Sequence, residues 1–140
     1  METAPAIDGA ALRVARLRAG LSQNDLARRV GMASGQRISL WERGEARPRS
    51  PGLLHATADA LGVPAVALLV PVPSDAVSLR WLRFAAGLSV EDLAAATHSS
   101  VSSVKRWEAQ GLREPSPGTV EALARALGVS RAQVQILLRP

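Results

Sequence analysis

An all-α fold of two tandem five-helix units, joined by a short Pro-containing linker, is what this sequence of 140 residues predicts, and three observations carry the prediction. The first is an internal repeat. Residues 12–31 align with residues 79–98 at a shift of 67, identical at 10 of 20 positions, and residues 50–63 align with residues 116–129 at a shift of 66, sharing Ser-Pro-Gly and Ala-Leu-Gly-Val. Self-similarity at a nearly fixed period marks a duplicated structural unit. The second is spacing, since apolar residues recur every three or four positions, the period of a helix that buries one face. The third is punctuation: hydroxyl residues stand where helices would begin and glycines where they would end. The expected boundaries are residues 1–70 for the first unit, 71–75 for the linker and 76–140 for the second unit.

In the first helix Leu12, Ala15 and Ala19 share a face with Leu21, and Gly20 holds the place of a left-handed C-cap. Ser22 and its counterpart Ser89 open the second helix. Each is followed three residues later by an acid, Asp25 or Asp92, close to a capping box in which Asp replaces Glu or Gln. The alignment shift drops by one across residues 31–35, where the first copy has an extra residue. A turn tolerates such an insertion and a packed helix does not, so a turn is expected there. Ser34 and Ser100 are the expected N-caps of the third helix, whose Ile38 and Trp41, or Val104 and Trp107, form its core face. Ser-Pro-Gly opens the fourth helix with Pro in its first position, and Gly62 or Gly128 closes it. A short apolar fifth helix follows, over about residues 64–69 and 130–138. The two prolines of residues 70–75 forbid helix and favour an extended, stiff connection.

Composition narrows the function classes. Lys and Arg number 17 against 12 Asp and Glu, a net charge of +5 that points towards nucleic acid or acidic surfaces without specifying either. With no Cys there are no disulfides and no thiolate zinc site. His55 and His98 lie far apart and read as ordinary surface or packing residues, so no metal is indicated. Neither an apolar run of about 18 residues nor a basic-then-apolar start is present, so no membrane association and a cytoplasmic location are expected. No nucleotide loop, metal cluster or Ser/His/Asp grouping is visible, so neither an enzyme nor a cofactor nor a small-molecule ligand is expected.

One stretch carries a family likeness. Leu26-Ala-Arg-Arg-Val-Gly-Met-Ala-Ser-Gly-Gln-Arg-Ile-Ser-Leu-Trp-Glu-Arg-Gly44, followed by Arg47-Pro48 and Ala60-Leu-Gly-Val63, resembles the Cro/C1-type helix-turn-helix of the Xre family, with its lambda repressor-like fold. Leu93-Ala, Ser100-Val-Ser-Ser-Val-Lys-Arg-Trp-Glu108 and Ala126-Leu-Gly-Val129 resemble it more loosely, and together the two copies cover nearly the whole chain. The resemblance implies a nucleoid-associated regulator of transcription, a repressor, that binds double-stranded DNA. It also implies internal ion pairs between Arg16 and Glu42 and between Arg83 and Glu108, structural rather than catalytic.

In such proteins the second helix crosses the DNA backbone and the third lies in the major groove, its first residues facing base edges. Counting away from Ile38 and Trp41 places Gly35, Gln36, Ser39 and Leu40 on the reading face, with Arg37 at its margin. A Gln amide suits adenine N6 and N7 and Leu40 suits a thymine methyl, each good contact contributing roughly 1–3 kcal/mol of discrimination. The second copy presents Val101, Ser102, Lys105 and Arg106, whose cations suit guanine or phosphate. The two copies are therefore expected to read different half-sites. By resemblance, phosphates are met by Gln23 and Ser34 and by Arg43, Arg47 and Arg49 in the first copy, and by Ser100 and Arg113 in the second, where Val90 and Ala109 replace Gln23 and Arg43. Arg28 and Arg29 are open to two readings, a solvated face or a place near DNA. Residues 1–8 read as a frayed tail, with a short arm to DNA as the alternative.

A second function class stays open: a protein-interaction module, such as an antitoxin or partner adaptor, in which only the first copy binds DNA. The apolar fifth helices offer a surface for a homodimer or a protein partner.

Overall fold

The computed structural model describes residues 4–113 and 115–137. It divides into two compact units, Ala4–Pro71 and one that begins at Val72. In the first, α1 (Gly9–Arg18), α2 (Gln23–Arg29), α3 (Gln36–Glu42) and α4 (Pro51–Leu61) precede a 3-10 turn at Ala65–Leu68. In the second, a 3-10 turn at Ser74–Ala76 leads into α5 (Leu79–Ala86), α6 (Val90–Ala96), α7 (Val101–Gln110), α8 (Pro117–Leu127) and α9 (Arg131–Leu137). The chain is all-α and its two units are tandem copies, as the repeat predicts.

Each unit encloses its own core. Leu12, Leu26, Ile38, Trp41, Leu54 and Leu68 are closed to solvent in the first, and Leu93, Val104, Leu123 and Val134 in the second. Full burial of one such aliphatic side chain stabilises by about 1.5–3 kcal/mol, so these residues supply most of the driving force for folding. The helix signals of the second and fourth helices act where the sequence puts them. Ser22 Oγ accepts from Asp25 N–H at 3.0 Å while Asp25 Oδ2 accepts from Ser22 N–H at 3.1 Å. Ser89 and Asp92 repeat the arrangement at 3.0 Å in both directions. The backbone N–H and then the hydroxyl of each serine hold the Asp25 and Asp92 carboxyls below the usual carboxylate range. Ser50 and Ser116 cap α4 and α8 ahead of Pro51 and Pro117, and Gly62 and Gly128 close those helices with left-handed backbone.

Three expectations are corrected. The fifth element of the first unit is a single 3-10 turn rather than a helix, because Pro64 is extended and Leu69 turns into an antiparallel bridge with Ile7. That bridge overturns the frayed tail over residues 4–8: Asp8 N–H donates to the Leu68 carbonyl at 2.8 Å and Val70 N–H to the Ala6 carbonyl at 3.0 Å, with Pro5 and Ile7 buried. Asp8 then caps α1 through Ala11 N–H. The rest of that tail, residues 1–3, and Leu138 of the expected last helix lie outside the described residues. Finally, Trp107 is half-buried at the margin of its core, whereas Trp41 is wholly enclosed.

α2 and α6 end alike. The residue after each C-cap is left-handed, Gly31 at φ +82° and His98 at φ +52°. Ser99 N–H reaches back to the Ala94 carbonyl at 2.9 Å as Met32 N–H does to Ala27 at 2.8 Å. His98 therefore accepts a backbone that a side chain disfavours by about 1–2 kcal/mol, more than the roughly 0.4–1 kcal/mol that glycine loses through the unfolded chain. His98→Gly is expected to stabilise the second unit by about 0.5 kcal/mol, seen as a higher denaturant midpoint. An unchanged or lower midpoint would mean that the exposed imidazole makes a compensating contact.

Candidate nucleic-acid interface

α3 is held at both ends. At its end, Glu42 accepts from Arg16 Nε at 2.7 Å and Nη2 at 3.0 Å, and from Gln23 Nε2 at 3.4 Å. Arg16 Nη1 meanwhile donates to the Leu21 carbonyl at 3.0 Å, so one guanidinium ties α1, the α1–α2 turn and α3 together. The hydrogen bond to Glu42 raises the Arg16 pKa above its usual value, against the opposing pull of burial. Gly9 completes the junction, because a Cβ there would collide with the Glu42 carbonyl. The second unit repeats the joint: Arg83 Nε lies 2.6 Å from Glu108 Oε1, Nη2 lies 3.3 Å from Oε2, and Nη1 donates to the Leu88 carbonyl at 3.1 Å.

At the other end of α3 the local cap differs from expectation. Gly35 rather than Ser34 occupies the N-cap position, and no side chain caps it locally. Ser34 Oγ accepts only from Gln36 N–H, at 3.4 Å. Gly35 N–H is taken by Asn24 Oδ1 of α2 at 2.8 Å. Gly35, expected on the reading face, is consequently buried against the start of α2 and leaves that face.

A groove of about 550 Å³ lies beside the start of α3. It brings together Ser34, Gln36, Arg37 and Leu40 with Arg47 and Arg49 from the loop after α3, and adds Met32 and Leu53. Gln36, Arg47 and Arg49 are exposed, while Arg37, Ser39 and Leu40 are half-buried. The groove does not include Gln23, Ser39 or Arg43. Gln23 is half-buried with its amide on Glu42, and Arg43 is exposed 3.3 Å from Glu45. Arg47 Nη1 donates to the Ala4 carbonyl at 2.7 Å, so the ordered N-terminal segment borders the same surface. Arg28 and Arg29 are exposed on α2, Arg28 lying 3.7 Å from Asp25.

In the second unit Ser100 caps α7 as expected, accepting from Ser103 N–H at 3.0 Å. Ser102, Lys105, Arg106 and Arg113 are exposed. Val101 is half-buried and packs against the core, since a β-branched apolar residue beside α6 gains more from that contact than from water. α7 also runs on to Gln110, past the point equivalent to the end of α3, so the following loop is entered differently. The contact that counting along the sequence missed is Asn24. Its signal was present, because Asn24 and Gly35 change together to Glu91 and Val101 between the copies.

Among the described residues no group of three or more His, Cys, Asp or Glu is placed to hold a metal ion, and no helix is long and apolar enough to cross a membrane. Each unit instead pairs a short capped helix with a third helix across a tight turn, with cations beside the exposed face of the latter. A family model described as a helix-turn-helix domain matches the chain twice, over residues 9–69 and 76–137. Neither a curated protein nor a solved structure matches it. Two matches that span most of the chain, on two units of the same helical order, place this protein in the helix-turn-helix domain family as a tandem pair of DNA-binding domains.

Proposed function

We propose that this protein is a Cro/C1-type (Xre family) transcriptional regulator, a repressor, that binds double-stranded DNA by laying α3 and α7 in the major groove and reading two different half-sites. The observation that carries this reading is the contrast between two exposed faces on equivalent helices. α3 offers the Gln36 amide and the Leu40 side chain beside Arg37, Arg47 and Arg49, whereas α7 offers Ser102, Lys105 and Arg106. An amide that donates and accepts suits adenine, and paired cations suit guanine or phosphate, so the same fold favours different bases at the two positions. A repressor needs nothing further from these units, since occupying DNA excludes other proteins from the same sequence. The arginines around α3 supply the salt-dependent attraction to phosphate.

Selection of bound duplexes from a random pool tests this, using the intact protein and the Gln36→Ala and Arg106→Ala variants. The expected result is an asymmetric, bipartite motif in which each substitution relaxes a different half. A second reading, a protein-interaction module in which only the first unit binds DNA, is favoured by two observations: Val101 packs against the core and Ala109 stands where the first unit has Arg43. A motif of one half, untouched by Arg106→Ala, would establish that reading in place of the first.

A further inference from the structure

The two units start their third helices by different means. α7 is capped from within, by Ser100, whereas α3 receives its first acceptor from another helix, through Asn24 Oδ1 and Gly35 N–H. That contact needs a residue without a Cβ. One built on Gly35 would stand 2.7 Å from the Gln23 carbonyl carbon and 2.8 Å from both Asn24 N and Oδ1, closer than side-chain carbons pack. The second unit changes both partners at once, to Glu91 and Val101, and Val101 then packs on the core.

We propose that Asn24 and Gly35 are positioning residues for base reading by the first unit, locking the start of α3 to α2 and so fixing the Gln36 amide. The inference rests on the DNA-binding reading above. Gln36 is the residue next to Gly35, so any rotation or slide at the N-terminus of α3 moves its amide directly. A bidentate contact tolerates about 0.5 Å and 10–20° of error. α3 has only seven residues, and its first N–H groups have no partners inside the helix. Breaking the Asn24 contact frees that end while Glu42 and Arg16 still hold the other. Asn24 acts through Gly35, with no base contact of its own required.

The test uses the full chain and the duplex enriched by the wild-type protein, with a second duplex altered in the half relaxed by Gln36→Ala. At fixed salt, the ratio of the two affinities is measured for wild type, Asn24→Ala and Asn24→Asp, together with hydrogen exchange at the Gly35 amide and the thermal midpoint. Asn24→Ala is expected to stay folded, to speed exchange at Gly35 and to lower the ratio about tenfold. Asn24→Asp keeps the acceptor oxygen; its added charge weakens both duplexes alike and leaves the ratio near that of the wild type. An unchanged ratio in Asn24→Ala overturns the proposal, as does an equal loss on both duplexes or a failure of Asn24→Asp to restore the ratio. If the wild-type protein enriches no sequence, the DNA-binding reading falls and this inference with it, an outcome distinct from the others because it is seen before any variant is made.

Discussion

Arg16→Met is expected to destabilise the first unit by about 3 kcal/mol, enough to remove most of the stability of a unit this small. The Arg16 and Glu42 side chains are only 10% and 6% exposed, and two short hydrogen bonds join them. Removing the cation leaves a carboxylate largely enclosed with only the longer contact from Gln23, a charge that little water reaches. It also frees the Leu21 carbonyl and so loosens the turn between α1 and α2. The cost belongs to the orphaned charge rather than to the net worth of the pair. Arg16→Met combined with Glu42→Leu should therefore regain much of the loss, because two apolar side chains fill the space without a charge to solvate. Denaturant unfolding of both variants reads this. A cost below about 1 kcal/mol for Arg16→Met would mean that solvent screens the pair as it does at a surface.

Trp41→Ala is expected to cost about 3–5 kcal/mol, and Trp107→Ala less than half as much. The two occupy equivalent positions but not equivalent environments, since Trp41 has no exposed surface while Trp107 is only partly buried. Trp41 also backs the helix whose opposite face carries Gln36, so its loss is expected to weaken DNA binding through the fold. If Trp41 instead stacked on bases, the substitution would abolish binding and leave the unfolding midpoint where it was. Equal costs at the two tryptophans would contradict the difference in burial.

Much of the architecture was legible because it is local. Ser22 and Asp25 find each other three residues apart, Pro51 and Gly62 bracket a helix, and the extra residue in 31–35 can only be absorbed in a turn. The Arg16–Glu42 joint was legible through family likeness alone, because 26 residues separate its members and no local rule links them. The N-terminal segment was misread for the same reason. Its partners, residues 68–70, lie at the far end of the unit, and a short apolar stretch beside a proline carries no sign of what will pair with it.

By itself the sequence determined the duplication, the order of the four helices that the two units share, the caps of the second and fourth helices and the residues able to form a core. Those follow from backbone geometry and side-chain chemistry within a few positions. Tertiary structure decided which side chains stay in water. Gly35 and Val101 share an alignment position counted as outward, yet Gly35 presses against α2 and Val101 turns to the core. Gln36 stays exposed beside Arg47 and Arg49 in one groove. Helical phase specifies a direction from the axis, but a neighbouring helix packed at that point decides whether the direction leads to solvent or to protein.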